Sequence, residues 1–139
     1  MQKSKEKRSL RKLKESISKL RAEITKKTQK DWKDYGVCIS CSVYRPIGEL
    51  QSGHFYSRIH DYTTALLTRE ENLNLQCVPC NYYKRGNAQG YASGLVRKYG
   101  VAILGLLEEA KKTSKRYKYS ELEEIERGIK EKLAKLEKL

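Results

Sequence analysis

The chain has 139 residues and lacks several features that would each have pointed to a class of protein. No apolar run approaches twenty residues, so no membrane-crossing helix is expected. The opening "MQKSKEKRSLRKLK" has no apolar stretch behind its charges, so no secretory signal is expected either. Prolines number two, Pro46 and Pro79, and neither interrupts the first thirty residues. No internal repeat is evident. Apolar residues are scarce at 38% while charged ones reach 34%, a balance that suits a small core carrying long solvated helices. The length fits one compact domain and hardly two.

Acidic residues are also few: 17 against 30 Lys and Arg, a formal net charge of +13. The excess is concentrated in residues 1–35, which carry thirteen Lys/Arg and five Asp/Glu. A basic segment of this kind is the footprint of a polyanion binder. Membrane lipid is the rival to nucleic acid, but the segment lacks the large aromatic face of an interfacial helix. The bland alternative is a solvated helix face. Lys12, Lys19 and Lys26 are the expected phosphate contacts.

Residues 4–30 read as a helix, with Leu10, Leu13, Ile17, Leu20 and Ile24 spaced as a heptad seam. So narrow a stripe must pack on another helix, from a second copy of the chain or from the C-terminal segment. Residues 35–76 suit short strands joined by a knuckle. From about Asn81 the pattern turns helical, and glycines 86, 90, 94 and 100 imply two short helices parted near Gly100. In "SELEEIERGIKEKLAKLEKL", Ser120 stands three residues before Glu123 as a capping box. Leu122, Ile125, Ile129, Leu133 and Leu136 form one face there. The expected division is a basic heptad helix over 1–34, a zinc-knuckle core over 35–100 and C-terminal helices over 101–139.

The four cysteines, Cys38, Cys41, Cys77 and Cys80, form two Cys-x-x-Cys pairs. That is the ligand set of a tetrahedral all-thiolate zinc site. Disulfides are the alternative, without an oxidising destination in the sequence. A thioredoxin-like redox pair is disfavoured by the second motif and by the absence of a strand–helix context. Four thiolates leave no open position, so the expected zinc is structural and any chemistry lies elsewhere.

Between the pairs stand "GHFYSRIH" and "TREENLNLQC". With "CISC", "VPCNYYKRGN", "YASGLVRKYG" and the "YSELEEI" helix, they resemble the NinG/Rap recombination proteins of lambdoid phages. More broadly they resemble the HNH, or ββα-metal, nucleases, with phage endonuclease VII as a distant relative. The resemblance implies an α+β, mostly helical fold: a small zinc-stapled ββα-metal core flanked by long N- and C-terminal helices. It implies a metal-dependent endonuclease acting on branched DNA such as Holliday junctions, with Mg2+ or Mn2+ as the catalytic ion. A homodimer in the bacterial host cytoplasm is the expected setting.

The residues make chemical sense in those roles. Phosphodiester hydrolysis needs a base for water, a divalent ion for the leaving oxygen and cations on the phosphate. His54 suits the base, since neutral imidazole accepts a proton near pH 7. By resemblance Asn72 fixes the histidine loop, and Asn81 presents an amide oxygen to the ion from the first turn of the following helix. Arg58 and Arg69 are candidates for gripping the scissile phosphate, with Lys84, Arg85 and Asn87 beside it. Plainer readings stand next to these. A single histidine in an aromatic context is more often structural, Asn72 could cap a turn, and Asn81 could be a helix N-cap. Tyr82, Tyr83, Tyr91 and Tyr99 could stack on unpaired bases or pad the core. Many HNH enzymes carry Asp or His before the base as a second metal ligand, where this chain has Gly53; Asp61, Glu70, Glu71, water or phosphate could serve instead. The competing functions are a non-catalytic zinc-stapled DNA-binding protein and an RNA-binding zinc ribbon.

Overall fold

A computed structural model describes residues 8–57, 67–113 and 116–138. Arg58 and Asp61, named above as candidates, lie outside the described residues. The architecture is α+β, mostly helical, with two small antiparallel sheets.

Helix α1 spans Leu10–Gln29. It begins later than the expected residue 4 because Ser9 caps it, its Oγ accepting the Lys12 N–H at 3.1 Å while its own backbone is extended. Helix α4 spans Tyr119–Glu137. The capping box expected at Ser120 and Glu123 does not form, because the helix starts two residues earlier at the Lys118 cap; there only the Glu half is present, the Glu121 carboxylate accepting the Lys118 N–H at 3.1 Å. Of the two partners considered for the α1 seam, the structure uses α4. Leu13, Ile17 and Ile24 are buried with Leu122, Ile129 and Leu133, joined by Leu67. Full burial of Leu13 and Ile17 contributes on the order of 1.5–3 kcal/mol each.

One charge sits inside that interface. Glu126 is buried, and its carboxylate accepts a two-pronged pair of bonds from Arg8, at 2.7 and 2.8 Å, and one from Ser16 Oγ at 2.6 Å. A buried carboxylate needs such company, since transfer from water without it is costly.

Strands β1 (Tyr35–Val37) and β2 (Tyr44–Pro46) form a hairpin whose turn holds Cys38 and Cys41. Strands β3 (Leu50–His54) and β4 (Leu73–Cys77) form the second, in register from Leu50↔Cys77 to His54↔Leu73. The alternation of "LNLQC" suggests a half-exposed strand, yet all five residues are buried. Leu73, Leu75 and Cys77 occupy one face, while Asn74 and Gln76 fill the other with hydrogen-bonded amides. Asn74 donates to Glu71 O and accepts from Gln29, Lys98 and Tyr99, tying β4 to α1 and to the next helix.

After β4 comes a π-helical turn, Pro79–Tyr83, then helix α2 (Ala88–Tyr99) and helix α3 (Ala102–Lys112). The break between them falls at Gly100, whose φ of +95° suits glycine. Gly90 and Gly94 are not breakers; they lie inside α2. A Cβ at Gly94 would stand 1.9 Å from Ile39 O, and one at Gly90 would stand 2.4 Å from Ser40 O. Their spacing of four clears one stripe of the helix, so that α2 seats directly on the Cys38–Cys41 knuckle. Ile39, Tyr91, Leu95, Ile103 and Leu107 then close a separate core between knuckle, α2 and α3.

Candidate functional site

The four cysteines converge from two sequence-distant turns. Their Sγ atoms lie within 4.8 Å of one another, and Cys41 and Cys77 stand 3.6 Å apart. That spacing is too long for a disulfide and close to the roughly 3.8 Å separations of a tetrahedral zinc–thiolate site. The turn geometry supports the ligands: Cys38 N–H donates to Val43 O at 2.9 Å, Ser42 N–H donates to Cys38 O at 2.8 Å, and Ser42 adopts φ +65°. Burial works against ionisation of Cys38, but backbone N–H groups of Cys77, Cys41 and Ser40 hold its thiol below the ordinary value. Burial, helped by its cysteine neighbours, pushes the Cys77 thiol up to about 12. The donor set thus fits a divalent metal, which would supply the positive charge the buried sulfurs need to ionise.

Asn87, grouped from sequence with the nucleic-acid contacts, has two jobs within this frame. Its Oδ1 accepts Gly90 N–H at 3.3 Å as the N-cap of α2, and its Nδ2 donates to Cys80 Sγ at 3.4 Å. The residue adopts φ +43°, a conformation that asparagine tolerates better than most.

The β3–β4 hairpin carries the remaining candidates. His54 is half-buried as the last residue of β3. The segment after it is held by Asn72, which is buried: Asn72 Oδ1 accepts Tyr56 N–H at 2.8 Å, and its Nδ2 donates to Tyr56 O at 3.1 Å. Phe55 N–H donates to Asn72 O at 2.9 Å. The side chain of Asn72 thus continues the ladder one step past the strand end, and this fixes the backbone on which His54 rides. Tyr91 braces the same place from α2, its hydroxyl donating to Gly53 O at 2.7 Å. Burial raises the Tyr91 phenol well above its ordinary value, so it stays a donor. This tyrosine pads the core, whereas Tyr82 and Tyr83 are exposed, edge to face at 5.1 Å, beside exposed Lys84 and Arg85.

Asn81 does not sit in the first turn of an α-helix, as expected; it lies in the π-helical turn, ahead of α2. It is no N-cap either. Its Nδ2 donates to Gln51 Oε1 at 2.7 Å across to β3, and its Oδ1 lies 3.0 Å from where a Gly53 Cβ would be. Asn81 and Gln51 line a shallow cleft of about 400 Å³ with Lys26, Glu23, Ala22 and Ser52, so that α1 forms one wall. Lys12 and Lys19 are exposed farther along the same helix. Arg69 opens the short turn leading to Asn72 and lies in another cleft, with Thr68, Leu106 and Glu109. Glu70, considered as a metal ligand, is engaged by Lys132 instead.

Sequence reasoning missed Gln76. It is fully buried opposite Gln51, its Nε2 donating to Ser40 Oγ and to Gly86 O, both at 2.8 Å. A polar residue before a knuckle cysteine was the available signal, and nothing short of the strand register shows where it points.

No helix among the described residues is long and apolar enough to cross a membrane. No curated protein and no solved structure matches the chain. The family model described as Bacteriophage Lambda NinG protein matches residues 1–139, the whole sequence above. The chain that folds into this knuckle-stapled hairpin between two long helices therefore belongs to the NinG family of phage proteins.

Proposed function

We propose that the protein is a metal-dependent endonuclease of the HNH type, acting on branched recombination DNA such as Holliday junctions, with structural zinc on Cys38, Cys41, Cys77 and Cys80. The observation that carries this reading is that three residues distant in sequence gather around the end of strand β3. His54 ends β3, Asn72 clamps the backbone after it, and Asn81 faces position 53 immediately before it.

In this reading neutral His54 takes a proton from water, whose oxygen attacks phosphorus as the P–O bond to the leaving sugar oxygen breaks. A Mg2+ or Mn2+ ion, when bound, supplies positive charge to that leaving oxygen. Asn81 Oδ1 is the ligand this chain offers for it. Asn72 keeps the imidazole in place, since a misplaced base loses much of its effect. Lys26, on the wall of the cleft, is positioned for the substrate backbone; Arg58, Arg69, Lys84 and Arg85 extend the phosphate contacts. Tyr82 and Tyr83, exposed beside Lys84, suit stacking on bases unpaired at a junction. Paired cuts would call for a homodimer, and with the α1 seam buried under α4 its interface would use another surface.

The test is incubation of a synthetic four-way junction with the purified protein, with Mg2+, with Mn2+ and with chelator. Cleavage should need the ion and should fall a hundredfold to ten-thousandfold, as an order of magnitude, in His54→Ala with junction affinity and zinc content retained. Junction binding with no cleavage under any ion would make the protein a zinc-stapled binding module.

A further inference from the structure

Gly53 has no side chain with which to hold an ion, and the space beside it is bordered by a buried amide oxygen from the other strand. We propose that Gln76 Oε1 and Asn81 Oδ1 together form the divalent-cation site. The proposal deepens the nuclease reading and rests on it for its purpose, though not for its test.

Gln76 has no exposed surface, and its amide orientation is set by its partners. Gly86 O can only accept, so the atom facing it at 2.8 Å is the amide nitrogen, which also donates to Ser40 Oγ. Oε1 must then face the opposite way, toward Gly53. There it is buried and has no hydrogen-bond partner among the described residues. Buried polar atoms are so regularly satisfied that an exception calls for water or an ion. Both an ion and a water would need other oxygens nearby, and one is there. The point where a Gly53 Cβ would stand is 1.8 Å from Gln76 Oε1 and 3.0 Å from Asn81 Oδ1. Two amide oxygens, from β4 and from the π-helical turn, thus border the space that any side chain at position 53 would fill.

Glycine at 53 and glutamine at 76 are in this sense one device. A carboxylate carried on β3 is replaced by an amide oxygen carried on β4, and the glycine makes room for it. The rest of the arrangement suits a hard cation. Asn81 spends its Nδ2 on Gln51, which leaves Oδ1 turned toward the site, and Gln51 and Asn81 open on the cleft shared with Lys26. Two neutral amides bring no formal charge, so the ion keeps several waters and is held weakly until a DNA phosphate joins it. Binding of ion and of DNA should therefore reinforce each other.

The experiment is titration of Mn2+ into the zinc-loaded full chain, free and with a four-way junction, following the loss of the free-ion electron paramagnetic resonance signal. Wild type should bind Mn2+ weakly alone and more tightly with the junction. Asn81→Ala, at a partly exposed position, and Gln76→Leu should each lose roughly tenfold in Mn2+ affinity, with zinc content unchanged. Gln76→Leu also forfeits two hydrogen bonds, so the Gly53→Asp/Gln76→Ala double variant, which clears the Gln76 side-chain atoms that would stand 1.8 and 2.7 Å from a Cβ at position 53, supplies an independent arm. It places a carboxylate in the vacated space and should bind Mn2+ more tightly than wild type. Two results would overturn the site: no Mn2+ bound by wild type with or without DNA, or wild-type affinity in both Asn81→Ala and a zinc-loaded Gln76→Leu. A double variant that folds but gains no affinity would equally refute it. Mn2+ binding of the expected pattern with an uncut junction would leave the cation site standing and remove only the nuclease reading.

Discussion

Replacing Gly94 by alanine should destabilise the protein, although alanine is the better helix former. The two effects can be weighed from the structure. In an open helical position the change stabilises by about 0.5–1 kcal/mol, because glycine loses more backbone freedom on folding. At Gly94 the new methyl would stand 1.9 Å from Ile39 O, a backbone atom inside the first knuckle. An ordinary contact needs about 3.4 Å, so α2 or the knuckle must retreat by about 1.5 Å. Tyr91 and Leu95, both fully buried on the same helix, would retreat with it. Overpacking of this kind costs about 1–3 kcal/mol, and a backbone obstacle places it at the upper end. The net expectation is a loss of about 2 kcal/mol, or roughly 6 °C in melting temperature at this chain length. Gly105 and Gly128 provide matched controls, since a methyl at either meets nothing within 4 Å. Gly105→Ala and Gly128→Ala should each gain about 0.5–1 kcal/mol. Calorimetry on the three metal-loaded variants measures this directly, and metal release to a chromogenic chelator should be faster in Gly94→Ala alone. If Gly94→Ala melts as high as the controls, α2 is not seated on the knuckle as described.

The remaining expectations concern charge and metal. Glu126, held down to about 2 chiefly by the Arg8 bond and also by Ser16 against the opposing effect of burial, sits below its ordinary 4.5. A carboxylate so depressed stabilises the fold above pH 4.5 and loses that contribution as pH falls toward 2; with the Arg8 side chain 42% exposed and so screened by solvent, about 1–2 kcal/mol is at stake. Glu126→Gln should flatten the dependence of melting temperature on pH across that window, and an unchanged slope would clear the pair of any role. Lys12, Lys19 and Lys26 changed together to Gln should lower the salt slope of log DNA affinity by about one unit for each phosphate left without its lysine. A slope that stays put would reduce this face of α1 to solvation. Cys77→Ser should leave metal analysis short of one zinc per chain and the centre unfolded, because binding energy in so small a site is folding energy. A metal-free wild type with an unchanged melt would end the zinc assignment.

What could be read from sequence was whatever depends on local spacing. The Cys-x-x-Cys pairs need only their own turns, the Leu/Ile stripes of α1 and α4 follow the helical period, and the break at Gly100 marks itself. What escaped depends on which segments meet. Gly90 and Gly94 resemble breakers until the knuckle carbonyls beneath them are known. Asn81 and Asn87 are alike in sequence, six residues apart; only docking of the turn against β3 separates a side chain facing Gly53 from a helix cap. Gln76 carries no local sign of where it points, because its meaning lies in the Leu50↔Cys77 register and in Gly86, ten residues on. The expected start of α1 failed for a smaller reason: helix propensity through "SKEKRS" is adequate, and a cap at Ser9 ends the matter.

The pairing of α1 with α4 also sets an order of events during synthesis. Arg8 and Glu126 are 118 residues apart, and the apolar stripe of α1 has its cover in a helix made more than ninety residues later. Cys80 is made well before α4, so the knuckle can take its metal and the β3–β4 hairpin can close while Leu13 and Ile17 still lack their cover. Throughout that interval the nascent chain displays an oily, positively charged helix, the kind of segment that chaperones and neighbouring chains bind. Closing the longest loop in the fold is then the final step, and its entropy is offset only when α4 arrives. A chain held on the ribosome with α4 not yet emerged would carry a metal-loaded centre and an adhesive N-terminal helix; the released chain, with α4 free to dock, would no longer stick.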